Sequence, residues 1–138
     1  MLEFHSENDF KLDDLEQLRD WISLSITKMG KQVGDLNYIF CNDDYLIKIN
    51  QDYLNHDTYT DIISFDYSDK DILSGDIFIS TERVEENANT FQVSFKEELR
   101  RVLIHGVLHF AGYKDKSEEE SKEMRKQEDK YLAIYKTI

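Results

Sequence analysis

The most informative stretch of the chain is HGVLHFAGYKDK, which runs from His105 to Lys116. It closes a helix-forming run that we expect to span Lys96 to Ala111, because Ser94 and Glu97 have the spacing of a capping box at its start. Gly112 follows the last helical residue, and glycine commonly stands where a helix ends. The stretch therefore predicts a helix with two histidines near its C-terminus, followed by a short polar return.

This helix is apolar around most of its circumference, and a helix of that kind is buried. Its polar stripe must therefore face groups that satisfy it. His105 and His109 lie four residues apart, about 40° from each other around the axis, so they share one face. Glu98 and Arg101 fall on the same stripe.

Two histidines one turn apart, followed by a third nitrogen or oxygen donor, suit a tetrahedral metal ion that keeps one position open. We predict that His105, His109 and Asp115 bind one divalent metal ion, with zinc favoured. The alternative is that the two histidines are core residues bonded to backbone carbonyls. A zinc-protease helix is disfavoured, because it needs a glutamate directly after the first histidine and this chain has Gly106.

Other residues have candidate roles at this site. His56 and Asp57, in a polar loop, are less favoured substitutes for Asp115, because only the fold could bring them close. We expect Glu98 to hydrogen-bond a histidine ligand and fix its tautomer, rather than to act as a general base. No side chain is identified as catalytic, and metal-bound water is the expected nucleophile.

The same stretch resembles the signature of the YbeY family, which comprises bacterial metal-dependent endoribonucleases implicated in maturation of the small-subunit ribosomal RNA. Three more blocks resemble the family in its order along the chain, and together the matches cover roughly residues 45 to 132. The blocks are Thr60–Phe65 (TDIISF), Gly75–Ser80 (GDIFIS) and a closing helix with Glu123-Met124 and Glu128.

Three positions depart from the family pattern. Asp115 stands where most members have a third histidine, so the predicted centre is a His/His/Asp variant; a carboxylate binds zinc at a similar distance. Leu54 stands at the family's arginine, a natural phosphate-binding group, and Tyr59 stands at its proline.

The resemblance implies a single-strand-specific, metal-dependent endoribonuclease that acts in 3'-end maturation of small-subunit ribosomal RNA and in ribosome quality control. Its implied partners are single-stranded or ribosomal RNA and ribosomal proteins of the small subunit. Arg101 and Lys114 are the residues that we expect to contact the RNA phosphates.

Two other functions stay open. The chain could be a non-catalytic ribosome-assembly factor with a structural metal, whose acidic face meets basic ribosomal proteins; Leu54 in place of the arginine favours this slightly. A metal-dependent hydrolase of a peptide or small phosphoester is the third option, and Gly106 disfavours it.

The net charge of −12 argues against a nucleic-acid partner, since phosphate binding normally requires a basic surface. The charge is uneven, however. Residues 1–95 hold 7 basic and 20 acidic side chains, whereas residues 96–138 hold 10 basic and 9 acidic ones. The part of the chain that carries the motif can therefore tolerate a polyanion.

Composition and length predict one globular domain over residues 1–138. The single cysteine, Cys41, fits a reducing cytoplasm, and we expect it to be a small strand residue rather than a nucleophile or a metal ligand. We expect no segment to span a membrane. We expect an α/β (α+β) fold in which helices pack on a mixed sheet of about four strands, with the motif helix central and buried. The predicted strands are 1–6, 35–41, 62–67 and 76–80, and the predicted helices are 12–29, 43–53, 81–89, 96–111 and a last one that opens at the capping box of Ser117 and Glu120.

Overall fold

The structure, a computed structural model, describes residues 1–54 and 60–138, and these form four strands and five helices in the predicted order. The strands are β1 (Leu2–Ser6), β2 (Gln32–Cys41), β3 (Ile62–Asp66) and β4 (Ile72–Ser80). The helices are α1 (Leu15–Lys28), α2 (Asp43–Leu54), α3 (Thr81–Phe91), α4 (Phe95–Phe110) and α5 (Glu118–Tyr135).

The strands form one mixed sheet in the order β1-β2-β4-β3. Strand β2 pairs in parallel with β1 and β4, while β3 lies antiparallel at the β4 edge. The expected α+β fold with about four strands is confirmed. Among the described helices, none is both long and apolar enough to cross a bilayer.

Two strands begin earlier than their hydrophobic patterns predict. Strand β4 begins at Ile72 instead of Asp76, and β2 begins at Gln32 instead of Asp35. The reason lies in their pairing with each other: Gln32 pairs with Ile72, and a register shift follows after Val33. Local alternation does not reveal a pairing that joins segments forty residues apart.

The sheet is covered on both faces. On one face, alternate side chains of β2 and β4, such as Tyr38 and Ile77, enter the main core with α1, α4 and α5. On the other face, Phe78 packs in a smaller cluster that includes Leu46 of α2.

Helix α4 is central, as predicted, because nine of its sixteen residues are buried. The Tyr38 hydroxyl of β2 donates a 2.8 Å hydrogen bond to the Leu103 carbonyl and so attaches the helix to the sheet. The Trp21 indole of α1 donates a 2.8 Å bond to the Tyr131 carbonyl of α5. These buried bonds hold α4 and α5 at fixed positions over the sheet.

Two glycines allow the close approach of α4 to the sheet. A Cβ at Gly106, between the two histidines, would lie 3.0 Å from the end of Ile77 and 3.2 Å from the end of Ile62. A Cβ at Gly75 would overlap the Phe65 carbonyl oxygen and lie 2.7 Å from the Phe110 ring. The first clash involves flexible side-chain ends, whereas the second involves backbone.

We expect Gly75→Ala to lower the free energy of unfolding by about 3 kcal/mol, because the backbone carbonyl cannot move aside without breaking the β3–β4 pairing. Gly106→Ala is the matched variant. Its loss should stay within about 1 kcal/mol, since alanine favours helix and the isoleucine ends can shift. Urea unfolding of the metal-free proteins measures both, and equal losses would contradict this explanation.

Cys41 ends β2 and is fully buried, so it packs as a small strand residue. Burial, with the nearby charges of Asp43 and Glu7, raises the pKa of its thiol to about 12. We expect a thiol reagent such as Ellman's reagent to label Cys41 only after unfolding in urea. Labelling of the native protein at the rate of the unfolded chain would contradict this packing.

Candidate metal centre

The histidines are placed by the two ends of α4. At its start, Ser94 Oγ accepts a 3.1 Å hydrogen bond from the Glu97 amide, which is the Ser94 half of the predicted capping box. At its end, Gly112 has a φ of +106°, a left-handed conformation that glycine adopts readily. The Tyr113 amide then donates to the Leu108 carbonyl, and the chain turns back along the helix.

This return brings Asp115 to the histidines. The Nε2 atoms of His105 and His109 lie 3.0 Å apart, and Asp115 Oδ2 lies 3.3 Å from the first and 3.4 Å from the second. Within the described ranges, these three residues are the one group of potential metal ligands whose donor atoms converge in this way. Their side chains are 20%, 32% and 37% exposed, so the convergence point is open on one side.

The donor set fits a divalent metal ion. Donors of a tetrahedral zinc site, each about 2.1 Å from the ion, lie about 3.4 Å from one another. The three edges of the triangle, 3.0, 3.3 and 3.4 Å, match that spacing. Two imidazoles and one carboxylate leave the fourth position of a tetrahedron free, as in catalytic zinc sites.

Glu128 of α5 determines which nitrogen of His105 faces the centre. Its Oε2 atom lies 2.6 Å from His105 Nδ1, and the carboxylate is only 7% exposed. Because an ionised carboxylate only accepts hydrogen bonds, Nδ1 carries the proton. The Nε2 atom of neutral His105 therefore keeps its lone pair for a metal ion.

Arg101 holds Glu128 in place. Its two terminal nitrogens donate 2.8 Å hydrogen bonds to Glu128 Oε1 and to Asp129 Oδ1, which joins α4 to α5. The guanidinium that was predicted to contact RNA phosphates is thus engaged by two carboxylates.

The charges of this group reinforce one another. Burial disfavours charged His105, but the hydrogen bond and charge of Glu128 and the charge of Asp115 outweigh it and raise the pKa of the imidazole. Burial likewise disfavours charged Glu128, but its bonds to His105 and Arg101 lower the pKa of that carboxyl. In the metal-free protein the site thus favours a cation at the position where the ligands converge.

A cleft of about 280 Å³ opens beside the centre, and Asp61 and Glu98 lie in its wall with His105 and Asp115. Burial raises the pKa of Asp61, and it also raises the pKa of Glu98, where the charge of Asp61 adds to the effect. Glu98, which lies on the polar stripe of α4, is buried.

The structure gives the tautomer-fixing contact to Glu128 instead of Glu98. Sequence reasoning missed this role, although Glu128 belongs to the closing-helix block that resembles the family. Its distance from the histidine motif in sequence hid it, because only the packing of α5 on α4 brings the two together.

The remaining predicted residues are less central. Lys114 is exposed on the return. Leu54 ends α2 and is 43% exposed. The alternative ligands His56 and Asp57, and Tyr59 at the family's proline position, lie outside the described residues.

Known proteins are similar to this chain over nearly its whole length. The family model of Endoribonuclease YbeY matches residues 3–136. The Endoribonuclease YbeY of Flavobacterium johnsoniae is 55% identical over 135 residues, which cover 98% of this chain and 97% of that protein. That of Christiangramia forsetii is 55% identical over 134 residues, covering 97% of this chain and 94% of that one.

A solved structure shows the same fold. The solution structure of TM1509 from Thermotoga maritima matches with a TM-score of 0.73 at 32% identity, and the match covers 98% of this chain and 89% of that one. The family match, the near-full-length identity and the shared fold lead to one assignment. This chain belongs to the endoribonuclease YbeY family.

Proposed function

We propose that this protein is a metal-dependent endoribonuclease that cleaves single-stranded RNA and acts in the cytoplasm in 3'-end maturation and quality control of the small ribosomal subunit. His105, His109 and Asp115 hold one divalent metal ion, with zinc the best fit to the donor set. The observation that carries the proposal is the convergence of the three donor atoms within 3.4 Å of one another, in a chain of this family.

A divalent ion held by His105, His109 and Asp115 would supply Lewis acidity toward a phosphoryl oxygen and would make hydroxide available as the nucleophile near neutral pH. The side chains of the protein prepare the centre for that chemistry. Glu128 holds the proton on His105 Nδ1, and the Asp115 carboxylate adds the negative charge that balances a cation. Asp61 and Glu98 line the cleft with raised pKa values, so each can accept a proton at higher pH than an ordinary carboxylate.

His109→Ala should abolish both stoichiometric metal binding and cleavage, because it removes one of three donors. The measurement is metal content by mass spectrometry, together with cleavage of a single-stranded RNA, on the same preparations. His5→Ala is the matched control. His5 lies on β1 and bonds to Asn37, and its loss should change neither quantity.

Two results would overturn the proposed nuclease function. Stoichiometric metal in the wild type without RNA cleavage, and with stability that depends on the metal, would favour the ribosome-assembly factor with a structural metal. A folded wild type that binds no metal would mean that the two histidines are structural.

Glu128→Gln should weaken metal binding about 10- to 100-fold, because the amide no longer fixes the imidazole as a carboxylate does. It should also lower the free energy of unfolding of the metal-free protein by about 2 kcal/mol. Glu123→Gln, on an exposed position of the same helix, is the control and should do neither.

The pH dependence of that loss follows from the two pKa shifts. The Glu128 pKa is lowered from 4.5, so its contribution is present above about pH 4.5 and is lost as pH falls through the folded value. The His105 pKa is raised from 6.5, so its contribution is complete below that pH and is lost as pH rises through the folded value. Urea unfolding should therefore show the largest loss for Glu128→Gln between pH 4.5 and 6.5, and a loss that grows above pH 8 would contradict the pairing.

A further inference from the structure

We propose that Arg125 and Phe91 form an RNA subsite beside the metal centre, in which Arg125 binds a phosphate next to the scissile bond and Phe91 stacks on a base. The inference rests on the proposed nuclease function and specifies how its substrate is held. In this proposal Arg125, and not Arg101, is the principal phosphate contact.

The first observation is a continuous groove. The metal-centre cleft of about 280 Å³ adjoins a larger cleft of about 570 Å³ between α4 and α5. Four residues line both clefts, so the two are ends of one surface groove. These residues are Phe91, Glu98, Arg101 and Arg125. A strand that places one phosphate at the metal centre therefore meets Phe91 and Arg125 next.

The second observation concerns which cation is available. Arg101 is bound by Glu128 and Asp129 through both terminal nitrogens, so a phosphate would have to displace a carboxylate. Arg125 lies one turn before Glu128 on α5 and is exposed. It makes no hydrogen bond or ion pair within residues 1–54 and 60–138. Its charge interacts with that of Glu98, but no hydrogen bond holds its guanidinium within the described ranges, so it can bind a phosphate in a two-pronged contact.

The other cations of the larger cleft also favour binding of a phosphate chain. Arg100 and Lys136 line the larger cleft, and the Arg100 guanidinium lies 4.3 Å from the centre of the Tyr135 ring. Three carboxylates also line this cleft, namely Glu97, Glu98 and Asp129. Asp129 is paired with Arg101 and Glu98 is buried, so the exposed Glu97 is outnumbered by the cations Arg100, Arg125 and Lys136 of this cleft.

The third observation is the exposure of Phe91, the last residue of α3. It is 57% exposed and lines both clefts. The next residue, Gln92, ends the helix in a left-handed conformation with a φ of +57°. An exposed aromatic ring beside a cation is the usual arrangement for binding single-stranded nucleic acid, because every base offers a face for stacking. Paired bases in a duplex cannot stack in this way, so the subsite favours single strands.

The test compares Arg125→Ala with Lys126→Ala, which removes the same charge from the next position of α5 but does not line either cleft. Binding of a fluorescein-labelled, unstructured RNA is measured by anisotropy in the His109→Ala background, so that the RNA stays intact. We expect Arg125→Ala to weaken binding about tenfold and to reduce the slope of log K against log salt concentration by about 0.7, the value for one lost phosphate contact on a single strand. Lys126→Ala should leave the affinity nearly unchanged.

The same variants are then tested for cleavage with His109 intact. Arg125→Ala should raise KM about tenfold with little change in kcat, and Arg125→Lys should recover part of the loss. Phe91→Ala should weaken binding at least about fivefold and Phe91→Tyr should restore it, because stacking needs an aromatic face. Metal content and urea midpoint should not change, since both side chains are exposed.

The outcomes separate this subsite from the nuclease itself. If the wild type cleaves RNA and Arg125→Ala behaves as Lys126→Ala does, with an unchanged salt slope, the subsite is wrong and the nuclease stands. If Phe91→Ala binds as tightly as the wild type, the stacking role is wrong. If the wild type neither binds nor cleaves single-stranded RNA, the proposed function and the subsite both fail.

Discussion

The metal centre depends on one short hydrogen bond, the 2.6 Å contact between His105 Nδ1 and Glu128 Oε2. This bond turns the histidine's other nitrogen toward its neighbours and fixes the tautomer that can bind a metal ion. It also crosses from α4 to α5, so the chemistry of the ligand depends on how two helices pack. Arg101 binds the second oxygen of the same carboxylate and makes that packing specific.

The position of α4 follows from the sheet. Tyr38 donates to a backbone carbonyl of the helix, and Gly106 and Gly75 remove the side chains that would hold the two elements apart. The helix can come so close because it is apolar on nearly every side, and its polar stripe remains at the edge, where α5 and the return after Gly112 cover it. The convergence point of the ligands therefore lies at that edge, where the three ligand side chains keep part of their exposure to solvent.

The sequence was sufficient to predict the parts that depend on local spacing. The helix, its cap at Ser94, the shared face of His105 and His109, and the order of the elements all follow from periods and turn residues that lie close together in the chain. The early start of β4 did not, because it depends on pairing with β2. The role of Glu128 was missed for the same reason, since the stripe of α4 shows which groups need partners but not which residue of α5 supplies them.

The sequence also does not show which charges face the groove. Their placement explains how an acidic protein can hold a polyanion. Of the 29 acidic side chains, 20 lie in residues 1–95, and in physiological salt the field of an exposed charge fades over about 8 Å. The few charges that line the groove therefore decide whether a phosphate enters. The sequence favoured Arg101, which lies on the motif helix, and did not single out Arg125; in the structure two carboxylates pair with Arg101, whereas Arg125 is exposed. Arg101 organises the centre, while Arg125 remains available to bind a phosphate.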